Sequence, residues 1–183
     1  MNEILKYWDA AKDEFSNRDA ETLVGWKEVY PMLKGYRKIL DIGCGIGNVA
    51  AHLNSLGFEA SGVTYQQREV EAARELGRST IIQADMHELP FEDNAFDLFF
   101  MWDSLEHAIA PLAALKEAKR VTRTGGRGCI FIPGQRWIEC EYHIIVPTIR
   151  QMRHLLWLAG LELTEVVSHW GDEQAIYCVK VTD

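Results

Sequence analysis

ILDIGCGIGNVAAHL, residues 39–53, runs from an apolar strand through three closely spaced glycines into a helix. Asp41 stands two residues before the first glycine, and Gly43, Gly45 and Gly47 follow at every second position. Glycines at such a junction let the backbone turn tightly and let a ligand approach with no Cβ in the way. The helix that follows offers unpaired N–H groups at its first turn. The stretch therefore reads as a ligand-holding turn between a strand and a helix, with Asp41 placed to face a cationic group.

The rest of the chain repeats the same alternation on both sides of it. Short apolar runs read as strands in KILDI (38–42), EASGVT (59–64), STIIQA (79–84), AFDLFFM (95–101) and RGCIFIP (127–133). Helical spacing predicts helices over Gly47–Leu56, Gln66–Leu76, Pro111–Val121 and Pro147–Ala159. Parallel neighbours need a crossover, normally a right-handed helix, so these strands predict a parallel sheet covered on both faces. LELTEVVSH and QAIYCVKV are joined only by a short turn around Trp170-Gly171-Asp172 and predict an antiparallel hairpin at one edge. The fold class is α/β, a doubly wound seven-stranded sheet, mostly parallel, with helices on both faces. Apolar residues at helical spacing between Glu3 and Leu33, interrupted by Ser16-Asn17-Arg18-Asp19, predict two short helices ahead of it.

Composition bounds the function. A chain of 183 residues suits one domain, 1–183, that buries roughly 70% of its unfolded surface. Its 48% hydrophobic and 25% charged residues are ordinary globular usage, and no apolar run approaches the ~20 residues that cross a bilayer. The N-terminus mixes acids with apolar residues and reads as neither a secretory signal nor an Arg-rich transit peptide, so a cytoplasmic location is expected. A net charge of −8 argues against a nucleic-acid partner and favours a small-molecule substrate. Cys44, Cys129, Cys140 and Cys178 contain no CxxC pair and read as reduced, buried thiols.

The glycine spacing separates two kinds of nucleotide site. A dinucleotide fingerprint reads GxGxxG, whereas here the third glycine comes one residue early and Asn48 stands where that fingerprint has glycine. LDIGCGIG instead resembles motif I of the class I S-adenosylmethionine-dependent methyltransferases, small single-domain members of the type that includes the ubiquinone-biosynthesis enzymes. The likeness continues through QADMHELPFEDNAFDLFF (83–100), SLEHAIAPLAALKEAKRVTRTGG (104–126) and EYHIIVPTIRQMRHLLWLAGLEL (141–163), leaving only residues 1–36 outside it. The resemblance implies a Rossmann-like sheet with an antiparallel last strand and S-adenosylmethionine as cofactor, with S-adenosylhomocysteine as product. It implies that Asp41, Gly43, Cys44, Gly45 and Gly47 hold the cofactor, that Asp85 and the backbone N–H of Met86 lie at the adenine, and that Met101 and Trp102 contribute backbone contacts.

GVTYQQ (62–67) departs from the family pattern. The second strand there usually ends in an acid that accepts from both ribose hydroxyls, and here it ends in Thr64, which has one hydroxyl. The segment resembles that of cyclopropane fatty acid synthases, in which GVT leads into a polar helix start. This assigns Gln66 or Gln67 to the ribose and Tyr65 to the adenine, lowers the expected affinity, and predicts that Thr64→Asp tightens binding.

Methyl transfer from a sulfonium is an in-line displacement that asks the protein mainly for geometry, so a base is optional. His107, after the fourth strand, is the first candidate, and His143, past the fifth, the second. Asp103, Glu106 and His107 form D-x-x-E-H, which resembles the E-x-x-E-H associated with a divalent metal in ubiquinone-biosynthesis O-methyltransferases. Two carboxylates on a turn are more often solvated or capping groups, and no metal is assigned from the sequence. Tyr7, Trp8, Arg136 and Trp137 are the candidates for the acceptor site, with residues 1–36 as a helical lid or acceptor-site element and a homodimer as one way to complete it. The expected function is methyl transfer to a small-molecule acceptor. The alternatives are cofactor binding without transfer, or a nicotinamide-dependent oxidoreductase.

Overall fold

A computed structural model describes residues 25–167 and 175–183, with the side chain of Arg136 outside the description. Tyr7, Trp8 and His169 lie outside the described residues, as does the turn around Trp170. In chain order the strands are β1 Lys38–Ile42, β2 Glu59–Thr64, β3 Ile81–Gln83, β4 Phe96–Trp102, β5 Thr122–Ile132, β6 Leu161–Val167 and β7 Ala175–Val181. The helices, numbered within the described residues, are α1 Trp26–Val29, α2 Asn48–Ser55, α3 Gln67–Glu75, α4 Pro111–Val121 and α5 Ile149–Ala159.

The seven strands form one sheet in the order β3-β2-β1-β4-β5-β7-β6. β1 pairs in parallel with β2 and β4, β2 with β3, and β4 with β5. β7 is antiparallel to both β5 and β6, slotting between them and leaving β6 at the edge. The expected hairpin is therefore present, with its second strand inside the sheet. Burial explains the composition: β1 is buried at four of its five positions because helices cover both its faces. Leu40 and Ile42 join the core under α4 and α5, whereas Ile39 joins Trp26, Ala50, Leu53 and Ala73 on the opposite face under α1, α2 and α3. The alternation follows from side chains of successive strand residues pointing to opposite faces.

The expected elements recur with ends shifted by a few residues, β3 shortening to Ile81–Gln83, and three of the shifts have a local physical reason. β5 begins at Thr122 rather than Arg127, because the Thr122–Gly126 stretch continues the strand through an irregularity in which pairing jumps from Phe96–Thr122 to Leu98–Arg127. The second N-terminal helix is a single α turn that tightens into a 3-10 turn, Tyr30–Leu33, at Pro31, which lacks the N–H an α-helix would need there. α5 begins at Ile149, where Thr148 and Gln151 form a reciprocal capping box.

Candidate functional site

The strand order reverses direction at β1, which has β2 on one side and β4 on the other. In open α/β sheets the crevice for a ligand forms outside the carboxyl ends of the strands at that switch point. Asp41 lies here, 2% exposed, paired across to Gly62 on β2 and Phe100 on β4. Its Oδ2 has no hydrogen-bond partner, and burial pushes the carboxyl up to about 7. A buried carboxylate in that state favours a cationic or hydrogen-bond-donating ligand.

The glycine turn wraps the end of β1. Gly43, Gly45 and Gly47 have φ of 79°, 54° and 79°, in the left-handed region. The N–H groups of Gly43 and Cys44 both donate to Val63 O at 2.9 Å, closing the turn against β2. A Cβ at Gly43 would stand 2.4 Å from Ser104 Cβ, and Ser104 is itself fixed by donating to Ile42 O at 2.8 Å. The turn is thus pressed between β2 and the segment after β4. Arg78 Nη1 donates to Ile46 O at 2.8 Å and secures its far side. Burial, and then the Asp41 and Glu69 carboxylates, push the Cys44 thiol well above its usual range, which disfavours the reactive thiolate.

Thr64, 4% exposed at the end of β2, donates its hydroxyl hydrogen bond to Glu69 Oε2. Glu69 is the third residue of α3, whose N-cap is Gln66. The acid missing from the strand end is therefore brought to it by the helix that follows. Reading β2 alone misses Glu69; the signal in the sequence is an acid in the first turn of the helix after a strand that ends in threonine. Tyr65 is exposed, its carbonyl accepting from Gln83 Nε2 at 3.0 Å. Gln66 engages Arg68 Nε through its side-chain oxygen.

Asp85 follows β3 and is half exposed. Its Oδ1 accepts from His87 N at 2.9 Å and lies 2.5 Å from His87 Nδ1, while His87 Nε2 accepts from Ala110 N at 3.2 Å. His87 thus orients Asp85 and ties it to the start of α4. Met86 packs at the edge of the core, Met101 is fully buried, and Trp102 is buried with its ring stacked on Phe131 at 5.6 Å. Any contact from Met101 or Trp102 to a ligand in the crevice is left to their backbone.

Beyond β4 the chain forms a 3-10 turn, Leu105–His107. His107 and His143 come together here, their ring centroids 5.0 Å apart. His107 Nδ1 donates to Tyr142 O at 2.8 Å and His143 Nδ1 to Trp137 O at 2.9 Å. Burial lowers His107 to about 4, with Tyr142 opposing the shift and His143 adding to it, and burial also lowers His143. Both rings are neutral at pH 7, and an imidazole that titrates near 4 is a poor general base. Trp137 is 37% exposed in the turn Gln135–Trp137, which also carries Arg136. Among the described residues no helix is long and apolar enough to cross a membrane.

Residues 40–130 match the family described as "Methyltransferase domain". The 27-O-demethylrifamycin SV methyltransferase of Amycolatopsis mediterranei is 32% identical over 150 residues, covering 74% of this chain and 54% of the relative. The sterol 4-C-methyltransferase of Caenorhabditis elegans is 35% identical over 99 residues, covering 50% of this chain and 30% of the relative. The chain thus spans about half, or less, of the length of these curated relatives. An S-adenosylmethionine-dependent methyltransferase from Mesorhizobium loti superposes with a TM-score of 0.75 at 14% identity, covering 88% of this chain and 99% of that one, a likeness of fold. The strand order, the glycine turn after β1 and these matches agree, and the chain belongs to the S-adenosylmethionine-dependent methyltransferase family with the class I fold.

Proposed function

We propose that this chain binds S-adenosylmethionine across the carboxyl ends of β1, β2 and β4 and moves its methyl group to a small-molecule acceptor by in-line displacement. The observation that carries the reading is the buried carboxylate of Asp41, whose Oδ2 lacks a hydrogen-bond partner, beside a left-handed glycine turn at the point where the strand order reverses. In this reading Asp41 faces the cofactor's ammonium, and Gly43, Cys44, Gly45 and Gly47 lie along its amino-acid portion. Thr64 and Glu69 together take the ribose with Gln66 or Gln67 beside it, Tyr65 lies against the adenine, and Asp85 with the N–H of Met86 takes the adenine amino group.

Rate would come from holding the acceptor about 3 Å from the methyl, in line with the C–S bond and away from water. No strong base is required of the protein, which agrees with the low basicity of His107. The acceptor would approach from the Leu105–His107 and Gln135–His143 segments, where Arg136 and Trp137 lie, with the N-terminal region that contains Tyr7 and Trp8 closing over it. One relative is named for a carbon of a sterol and another for a demethylated rifamycin, which supports a small organic acceptor and leaves the accepting atom open. The proposal includes a single domain, a cytoplasmic location, no nucleic-acid or membrane partner, and a homodimer as one way to complete the acceptor site.

Thermal-shift titration with S-adenosylhomocysteine and with NADH tests the first half. Stabilisation by the former is expected, and stabilisation by NADH alone overturns the assignment. Release of S-adenosylhomocysteine from S-adenosylmethionine in the presence of hydroxyl, amine, thiol or carbon acceptors tests the second. Binding without release across all four classes would replace transfer by binding alone.

A further inference from the structure

A second constellation lies past β4 and shares no residue with the cofactor turn. Glu106 is 1% exposed, and neither of its carboxylate oxygens has a hydrogen-bond partner. Leaving a carboxylate buried in that way is costly unless a cation or a proton joins it. One ligand atom from each of Glu106, His107 and His143 lies within 4.8 Å of the other two, with His107 Nε2 3.9 Å from Glu106 Oε1.

The imidazoles are set up as donors of electron pairs. Each commits Nδ1–H to a backbone carbonyl, of Tyr142 or of Trp137, which fixes the tautomer and puts the lone pair on Nε2. An outer hydrogen bond of this kind is how metal-binding histidines are oriented. The backbone also clamps the two ligand-bearing segments together, because Glu106 O accepts from Ile144 N at 2.8 Å and from Ile145 N at 3.1 Å. Glu106 and His107 on one side and His143 on the other are therefore held in one rigid unit across a large sequence separation.

We propose that Glu106, His107 and His143 form a site for one divalent transition-metal ion of the zinc type, through one carboxylate oxygen and two imidazole Nε2 atoms. Two nitrogens and an oxygen suit zinc, cobalt or iron better than magnesium, which prefers an all-oxygen set. Tetrahedral ligands at about 2.0–2.1 Å from zinc stand roughly 3.3 Å apart, so His107 Nε2 and Glu106 Oε1, 3.9 Å apart, need to close by only about 0.6 Å. Such a site leaves a position for water or an acceptor oxygen. It differs from the D-x-x-E-H reading of the sequence in using His143 and in not requiring Asp103 as a ligand.

The test uses the whole, metal-stripped chain and neither cofactor nor acceptor, so its result is independent of methyl transfer. Calorimetric titration with Zn²⁺ is expected to give one ion per chain. Co²⁺ is expected to give visible d–d bands without the intense near-ultraviolet absorption of a cobalt–thiolate bond. His143→Gln and Glu106→Gln should each weaken Zn²⁺ binding at least about tenfold, whereas His154→Gln, on the exposed face of α5, should leave it unchanged. Glu106→Gln keeps the side-chain shape while removing the ionisable carboxyl, so its metal-free melting temperature should stay close to that of the parent while the Zn²⁺-induced rise disappears. Absence of binding, thiolate bands, or unchanged affinity in a folded His143→Gln protein each overturns the site.

Discussion

The Thr64 hydroxyl donates its hydrogen bond to the Glu69 carboxylate, so the end of β2 carries an acid that its own sequence lacks. Glu69 sits in the first turn of α3, where the positive end of the helix dipole favours a negative charge. Glu69→Gln should therefore weaken S-adenosylhomocysteine binding by roughly tenfold, the scale of a lost charge-assisted hydrogen bond. Sequence alone predicts that Thr64→Asp tightens binding, and the structure reverses the expectation: a second carboxylate would face Glu69 and repel it. Thr64→Asp should weaken binding, and adding Glu69→Gln to it should recover the loss. Isothermal titration of the three variants checks this, and tightening by Thr64→Asp alone would remove Glu69 from the ribose.

Asp41 gives the site a pH dependence. Its carboxyl titrates near 7 in the unliganded protein because burial disfavours the charge, so below that it is largely protonated. With the folded value raised above the unfolded one, Asp41 contributes stability that is present at low pH and is lost as pH rises from about 4 through about 7. Binding a cofactor ammonium needs the ionised form. Affinity should rise with pH, by up to about tenfold per unit below 7, and level off above about 8. Calorimetry at about pH 6.5 in buffers of different ionisation enthalpy should show proton release on binding. Asp41→Asn should bind weakly with a flat pH profile and no proton release.

Trp26 is 5% exposed, with Phe100 and Trp102 of β4 at centroid distances of 6.2 and 6.4 Å and His52 of α2 at 5.5 Å. It fastens the segment before β1 onto the underside of the strand whose end borders the site. Trp26→Ala should cost about 3–5 kcal/mol of stability, read from denaturant unfolding, because the neighbouring aromatic rings cannot collapse into the space. Trp26→Phe should recover more than half of that. A loss below about 1 kcal/mol would mean that the contact contributes little to the fold.

What was legible in the sequence was local. KILDI, its glycines and the helix Pro111–Val121 announce themselves through spacing within a dozen residues, and their observed bounds agree. What escaped depends on contacts that spacing does not encode. Glu69 reaches Thr64 only because α3 turns back over the strand end, and His87 reaches Asp85 only through the turn after β3. The sequence offers His107 and His143 only as separate candidate bases. Their apposition with Glu106 depends on the Ile144 and Ile145 N–H groups binding the 3-10 turn after β4, a pairing between loops with no periodicity to reveal it.

Gly43 offers a test of how the turn is held. Its φ of 79° costs an alanine about 1–2 kcal/mol, and a Cβ there would meet Ser104 Cβ at 2.4 Å. Ser104 cannot simply swing aside, because its hydroxyl is committed to Ile42 O at the end of β1. Gly43→Ala should thus lose the backbone term plus an overpacking term of about 1–3 kcal/mol. The two separate in a double-mutant cycle. Removing the Ser104 side chain with Ser104→Gly relieves the clash and leaves the backbone strain, so the pair should be more stable than the sum of the single losses by about the overpacking term. Thermal and denaturant unfolding of the four proteins measures this coupling, and S-adenosylhomocysteine affinity measured on the same set shows whether the displaced turn still accepts the cofactor. Additive losses would mean that Ser104 yields freely, and that the turn is shaped by its own backbone rather than pressed into place from β4.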